Sequence, residues 1–155
     1  MLVSIGDKAA DFFLPTQDKG EGTLKALQGK WVLLYFYPRD HTVGCTAEAK
    51  NFNDLQAAFK ALDVVIIGVS TDDTASHERF KKKHALTFAL IADVDSHICK
   101  QYGVWVEKSF LGKKYMGIQR STFLIDKEGS IAFIWPKVRV SKHAEEVLAK
   151  IKAMV

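Results

Sequence analysis

The most apolar stretches of the chain do not alternate between the two faces of a strand. Lys30–Pro38 and Asp63–Ser70 are apolar at odd and even positions alike, which is typical of central strands that are covered on both faces. Pro38 ends the first of these strands, because proline lacks the amide hydrogen that a sheet needs. Three further segments predict strands: Phe88–Ala92, Ser121–Asp126 and Ser130–Trp135.

From Thr42 onward the apolar residues take the spacing of a helix. Cys45, Phe52 and Phe59 are seven residues apart and two leucines continue their stripe, which predicts one helix of about four to five turns. Three further helices are predicted: a polar one capped by Thr71-Asp72-Asp73 and running to about His84, a short one capped by Asp95-Ser96 that carries Ile98, Cys99 and Tyr102, and a last one that starts near Ser141 and buries Ala144, Val147, Leu148 and Ile151.

The order of these elements predicts an α/β fold. Strands alternate with helices up to a closing hairpin, which turns through Lys127-Glu128-Gly129 with Gly129 in a left-handed conformation, and a final helix follows. This order favours a central mixed β-sheet with helices on both faces. The chain has no repeat, low-complexity segment or linker, so residues 1–155 are expected to form one domain. Asp11–Leu27 is the least clear segment, where a small hairpin across Asp18-Lys19-Gly20 is expected.

Composition excludes several broad classes of function. Of the 155 residues 48% are hydrophobic, enough for a core, and no apolar run approaches the ~18 residues that cross a bilayer. The first residues lack a basic region followed by an apolar stretch, so no secretory signal is expected. The net charge is +4, and the only dense basic run, Lys81-Lys82-Lys83, fits a solvated helix face. We therefore expect neither a membrane nor a nucleic acid as partner.

The chain has two cysteines, Cys45 and Cys99. They are too few for a disulfide scaffold, and the lack of a C-x-x-C pair excludes a zinc ribbon and a thioredoxin-type dithiol motif. Two cysteines without a signal peptide fit a reducing cytoplasm, where a free thiol can be kept for chemistry. We therefore expect a cytoplasmic protein.

Cys45 stands where a helix can activate a thiol. A buried strand ends at Pro38, a short loop follows, and Cys45 comes in the first turn of the long helix, at the expected mouth of a pocket. The first amides of a helix lack intrahelical partners, and together with the helix dipole they favour the thiolate. Attack on a peroxide would also need donors for both oxygens. Thr42 offers a hydroxyl, Gly44 and Cys45 offer amides, Gly44 permits close approach, and an arginine from elsewhere would add a permanent cation.

Other interpretations use the same residues. Cys45 falls on the apolar stripe of its helix, so it could be an inert buried cysteine, with Thr42 as an N-cap and Pro38 as no more than the end of a strand. A non-enzymatic thiol redox sensor would share the chemistry of Cys45. Two further rivals are a metal site built from His41, Cys45, His97 and Cys99, whose spacing is not a known zinc pattern, and a cysteine hydrolase with His41 as its base.

The loop and the helix start carry a resemblance to a known family. Pro38-x-x-x-Thr42-x-x-Cys45 resembles the active-site signature of the peroxiredoxins. Three longer segments, YFYPRDHTVGCTAEA, YGVWVEKSFLGKKYMGIQRSTFLIDKEG and WPKVRVSKHAEEVL, resemble the bacterioferritin-comigratory-protein subfamily, also called the Q type. These segments are spread along the chain, so the resemblance covers essentially its whole length.

The resemblance implies a thioredoxin-like fold and a thiol-dependent peroxidase. Cys45 would attack hydrogen peroxide or an organic hydroperoxide and become a sulfenic acid. Arg120, in GIQRSTFLID, matches the active-site arginine of the family, whereas Arg39 is an alternative outside the family position. Glu48 falls within the motif and would support the site without reacting. The resemblance also suggests a monomer, and no bound cofactor is expected because the redox chemistry belongs to sulfur.

Two departures from the subfamily change the expected way of recycling Cys45. Lys50 occupies the position of the usual resolving cysteine, and His41 and Val43 replace the usual aspartate and proline of the loop. The sulfenic acid could then be resolved by Cys99, by an external thiol, or by pairing of two chains through Cys45. Cys99 lies beside apolar neighbours, as a core cysteine does. We therefore expect a single-cysteine mode with an external thiol such as thioredoxin, glutaredoxin or glutathione.

Overall fold

The computed structural model describes residues 3–14 and 22–155. Within these residues the strands are, in chain order, β1 Phe13–Leu14, β2 Gly22–Thr23, β3 Trp31–Phe36, β4 Val64–Ser70, β5 Ala89–Ala92, β6 Trp105–Phe110, β7 Lys113–Ile118, β8 Ser121–Ile125 and β9 Ile131–Trp135. The helices are α1 Val43–Asp54, α2 Gln56–Ala61, α3 Thr74–His84, α4 His97–Gln101 and α5 His143–Met154, with a 3-10 turn at Leu24–Leu27.

A five-stranded sheet in the order β5-β4-β3-β8-β9 forms the centre of the fold. β3 pairs in parallel with β4 and antiparallel with β8, so it is the central strand, and it is buried from Val32 to Phe36. β4 and β5 are parallel, whereas β8 and β9 form an antiparallel hairpin whose Gly129 has a φ of 85°. The predicted mixed sheet and its five strands are confirmed.

The two faces of the sheet carry separate apolar cores. Leu33 and Tyr35 of β3 point into a core that α1, α2 and α5 cover, and Phe80 of α3 joins it. Leu34 and Phe36 point into a second core, which α4 and the 3-10 turn cover. The predicted placement of helices on both faces is therefore confirmed. Because strand side chains alternate in direction, a residue in one core is separated from the other core by the sheet itself.

The long helix predicted from Thr42 is interrupted. α1 ends at Asp54, α2 begins at Gln56, and the amide of Leu55 between them bonds back to the carbonyl of Phe52 at 3.2 Å. Phe52 and Phe59 still face the same core, with ring centroids 6.1 Å apart. The apolar spacing predicted correctly which face of the segment is buried, but it wrongly predicted one unbroken helix. Such spacing shows where side chains point and says nothing about which backbone hydrogen bonds form.

Two hairpins lie outside the central sheet. β6 and β7 pair antiparallel over six residues each, and this hairpin was not predicted, because its mostly exposed residues mix lysines with apolar side chains without alternation. β1 pairs with β2, while the turn predicted across residues 18–20 lies outside the described residues. None of the helices described is long and apolar enough to span a membrane.

Candidate active site at the start of helix α1

Cys45 is the third residue of α1, one loop beyond the central strand. β3 ends at Phe36, the loop of residues 38–42 crosses its end, and α1 begins at Val43. The first helical amide with a partner is that of Thr46, which donates to the carbonyl of Thr42 at 2.9 Å. The amides of Gly44 and Cys45 have no acceptor among the described residues, so they remain free to donate to an anion.

Arg120 brings a cation to this sulfur from a neighbouring strand. It immediately precedes β8, whose first residue, Ser121, pairs with Phe36 of β3. Its Nη2 donates to Sγ of Cys45 at 3.3 Å, and its Nη1 donates to Oε1 of Glu48 at 2.6 Å. One guanidinium thus bridges two groups of α1 that are three residues apart, which fixes its orientation over the sulfur.

Gly44 lies directly against the guanidinium. A Cβ placed on Gly44 would lie 3.4 Å from Nη2 of Arg120, at the edge of ordinary van der Waals contact. The same glycine leaves the helix amides uncovered.

Glu48 is a buried partner that shares the charge of Arg120. Its side chain is 1% exposed, and its Oε2 has no hydrogen-bond partner among the described residues. Burial raises the pKa of Glu48 to about 7, although the charge of Arg120 and its hydrogen bond act in the opposite direction. Burial also disfavours the charge on Arg120, but Glu48 and Cys45 outweigh it and raise the pKa of the guanidinium. Arg120 is therefore a permanent cation here.

Thr42 and Pro38 line a groove near the start of α1. With Arg39 and residues of the β6–β7 hairpin they bound a cavity of about 390 Å³. Thr42 is the N-cap residue of α1, as one alternative had it, but its hydroxyl donates to the carbonyl of Arg39 at 3.0 Å and makes no bond to the helix amides. Arg39 is exposed, and the hydrogen bond to Sγ of Cys45 comes from Arg120 instead.

Cys45 itself is 1% exposed and does not sit at the mouth of a pocket as expected. The apolar stripe of α1 carries it into the first core, and Arg120 covers the remaining side. Thr42, three residues before Cys45, lines the groove, whereas Cys45 itself does not.

The remaining candidates are not gathered around Cys45. His41 is exposed, and its ring packs edge-on against Phe80 with centroids 5.3 Å apart. Lys50 is exposed on α1, and His97 is exposed at the start of α4. Cys99 lies in the second core, on the opposite face of the sheet from Cys45. The proposed metal ligands are therefore split between the two faces.

Comparison with known proteins shows the family to which the chain belongs. The AhpC/TSA family matches residues 5–134. A protein named peroxiredoxin Bcp from Bacillus subtilis strain 168 is 48% identical over 155 residues, covering 99% of this chain and 98% of its own. The chain is a peroxiredoxin of the AhpC/TSA family.

Solved structures agree with this assignment. A mutant of the PrxQ of Xylella fastidiosa superposes on the peroxiredoxin with a TM-score of 0.92 and 37% identity, covering 99% of this chain and 98% of its own. The bacterioferritin comigratory protein of Xanthomonas campestris, studied for alkyl peroxide reduction, gives a TM-score of 0.86 and 40% identity, with 92% and 91% covered. The predicted family, the thioredoxin-like fold and the class of enzyme, a thiol peroxidase, are confirmed.

Sequence reasoning missed several polar groups around the reactive centre of the peroxiredoxin. Lys108 of β6 lines the groove, and burial and the charge of Arg120 lower its pKa, against the effect of Cys45. His143 at the start of α5 is buried, with Nε2 2.8 Å from Oγ1 of Thr122, and burial with Arg120 lowers its pKa to about 4. The only sequence signal for them was their place within the longer family segments, because neither lies near the signature.

Proposed function

We propose that this peroxiredoxin reduces hydrogen peroxide and organic hydroperoxides with Cys45 as the nucleophile and Arg120, Thr42 and Pro38 shaping the site. The observation that carries the proposal is the 3.3 Å contact from Nη2 of Arg120 to Sγ of Cys45 at a helix start with free amides. The alkyl peroxide reduction for which the Xanthomonas campestris relative was studied supports the same substrate class.

The reaction moves charge from sulfur to oxygen. The thiolate of Cys45 attacks the terminal oxygen of the peroxide, an S–O bond forms, and the O–O bond breaks. The departing hydroxide or alkoxide takes up a proton and leaves as water or alcohol, while Cys45 becomes a sulfenic acid. Arg120 and the amides of Gly44 and Cys45 are the donors that can stabilise the developing charge. The hydroxyl of Thr42 joins them only if it gives up its bond to the carbonyl of Arg39.

Recycling by an external thiol follows from what surrounds Cys45. The usual resolving position holds Lys50, and Cys99 lies behind the central sheet. A disulfide needs Cα atoms within about 7 Å of each other, which two residues on opposite faces of a sheet do not reach without unfolding. We infer that one thiol converts the sulfenic acid to a mixed disulfide and water, and that a second thiol releases Cys45. Thioredoxin, glutaredoxin and glutathione are the candidates, acting on a monomer in the cytoplasm.

Peroxide consumption by cysteine variants tests this proposal. Cys45→Ser should lose all activity, whereas Cys99→Ser should keep most of it with any reductant that supports the wild type. Mass spectrometry of the peroxide-treated wild type should show oxidation at Cys45. A Cys45–Cys99 disulfide as the main product would contradict the single-cysteine mode. Stoichiometric oxidation without turnover would point to the redox-sensor alternative.

A further inference from the structure

A buried carboxylate anchors the loop of residues 38–42 to helix α3. Asp40 is 3% exposed although it lies in a loop. Its Oδ1 accepts the hydroxyl of Tyr37 at 2.6 Å, and its Oδ2 accepts the hydroxyl of Ser76 at 2.8 Å. Nδ1 of His77 lies 2.7 Å from the same Oδ2. The loop is therefore held by two side chains of α3 and by the end of the central strand.

The geometry assigns charges to this pair. Nε2 of His77 lies 3.0 Å from the carbonyl oxygen of Ile91, which can only accept, so Nε2 carries a hydrogen. Asp40 receives three side-chain contacts, as an ionised carboxylate can, and Nδ1 of His77 then donates as well. With Asp40 ionised, His77 is thus an imidazolium beside a carboxylate, and both side chains are at most 4% exposed.

Neighbouring groups support this charged form. Burial lowers the pKa of His77, but the hydrogen bond and charge of Asp40 outweigh it and raise that pKa above the usual value. Burial raises the pKa of Asp40, but the hydrogen bonds from His77 and Tyr37 outweigh it and lower that pKa. Asp72 is a further titratable group against the pair, since its Oδ2 accepts the amide of Asp40 at 2.8 Å.

The anchored loop has two opposing tasks at Cys45. It carries Pro38 and Thr42, which bound the groove, and it leads directly into the first turn of α1. Attack on a small peroxide needs these groups held in place around the sulfur. Cys45 is 1% exposed, so an external thiol can reach the oxidised sulfur only when the covering groups move aside.

We propose that Asp40 and His77 are positioning residues that hold the loop of residues 38–42 in place, favouring attack on peroxide and slowing reaction of oxidised Cys45 with an external thiol. This inference rests on the proposed function of Cys45. Neither residue touches the reacting atoms, and both act through the position of Pro38 and Thr42. A residue needed only for stability would slow both half-reactions or neither.

Rapid mixing of Asp40→Asn and His77→Gln with each reagent separates the two half-reactions. Formation of the sulfenic acid with one equivalent of hydrogen peroxide should slow by about tenfold, within the range that small misplacements cause. Reaction of the preformed sulfenic acid with glutathione should become about threefold faster as the groove wall opens. Lys82→Gln, an exposed position on the same helix, should leave both rates within about twofold of wild type.

A pH profile adds a second signature. In the wild type the loop should loosen as pH rises through the raised pKa of His77, or falls through the lowered pKa of Asp40. The ratio of the two half-reaction rates should therefore change at both limits, and Asp40→Asn/His77→Gln should lack both changes. This double variant leaves no unpaired buried charge, so it carries the test if a single variant does not fold.

The outcomes distinguish this inference from the function on which it rests. Rates that fall together in both half-reactions, or that stay at wild-type values in folded variants, would overturn the positioning role. A wild type that forms no sulfenic acid at Cys45 would overturn the proposed function instead. Opposite changes in the two half-reactions support the positioning role.

Discussion

The two cysteines occupy the same position in two helices and have opposite surroundings. Cys45 is the third residue of α1 and Cys99 is the third residue of α4, and both are at most 1% exposed. A position near a helix start is expected to favour a thiolate in both cases. The two helix starts differ in whether their first amides already donate hydrogen bonds to another group.

At α4 a carboxylate has taken the place that a thiolate or a peroxide would need. Asp93 accepts the amides of Ile98 at 3.1 Å and of Cys99 at 2.8 Å. Burial and the contact with Asp93 raise the pKa of the Cys99 thiol well above its usual value. At α1 the equivalent amides are free and a guanidinium faces the sulfur. We therefore propose that a helix start activates a cysteine only where its donors remain available and no other anion is present.

Of the substitutions that test this difference between the two cysteines, removal of the cation beside Cys45 should have the largest effect. Arg120→Met removes the donor that faces the sulfur and the breaking O–O bond, and it leaves Glu48 buried without its partner. The rate of peroxide reduction should fall by about 10²–10³, the usual effect of losing one donor to a developing anion. Stopped-flow measurement of the single-turnover reaction gives this rate directly.

Arg39→Met is the matched control for Arg120→Met. Arg39 lines the groove near the start of α1 but is exposed, and the hydrogen bond to Sγ of Cys45 comes from Arg120, so loss of Arg39 should change the rate by no more than a few fold. Equal losses in both variants would mean that general positive charge in the groove, and not the placed guanidinium, drives the reaction.

The sequence predicted the central sheet and the position of Cys45 because both leave local signals. A buried strand that ends at Pro38 and an apolar stripe that begins at Cys45 are enough to place the sulfur at a helix start. The pairing of Arg120 with Glu48 joins residues 72 apart and was not predicted, because the family resemblance named both residues without connecting them.

Other features left no local signal. Asp40 and His77 look like ordinary polar residues of a loop and a polar helix, although the fold buries both. The burial of Cys45 depends on how Arg120 and the core close around it. The break at Leu55 depends on the backbone, since the apolar stripe continues through it.

Glu48→Gln tests whether burial or the charge of Arg120 has the larger effect on the pKa of Glu48. The carboxyl of Glu48 ionises near its ordinary value of 4.5 in the unfolded chain and near 7 in the folded protein. The folded state therefore binds more protons between these values, and ionised Glu48 reduces stability as pH rises from about 4.5 to 7. The free energy of unfolding of Glu48→Gln, relative to wild type, should rise by about 2–3 kcal/mol across this range.

Urea unfolding at pH 5 and at pH 7.5 measures this difference. Glu107→Gln is the matched control, because Glu107 is an exposed glutamate whose contact with Lys114 is 3.6 Å long. Its stability relative to wild type should stay nearly constant between the two pH values. A constant difference for Glu48→Gln as well would show that Arg120 keeps Glu48 ionised throughout, and that burial has little effect on it.

Asp93→Asn should have the smallest effect of these substitutions, and it tests the surroundings of Cys99. The substitution keeps an oxygen that can accept one helix amide but removes the negative charge beside Cys99. Loss of one capping bond should reduce stability by about 1 kcal/mol. In a Cys45→Ser background, labelling of Cys99 by a thiol reagent under native conditions should become a few fold faster, because the thiolate no longer faces a carboxylate.

Asp95→Asn serves as the control for Asp93→Asn, since Asp95 is exposed and, among the described residues, its side chain accepts only the amide of His97, at 3.2 Å. It should leave the labelling rate of Cys99 unchanged. If Asp93→Asn also leaves that rate unchanged, burial alone protects Cys99, and the occupied amides at α4 do not contribute. Faster labelling in Asp93→Asn alone would mean that the carboxylate at the start of α4, and not burial alone, keeps Cys99 inert.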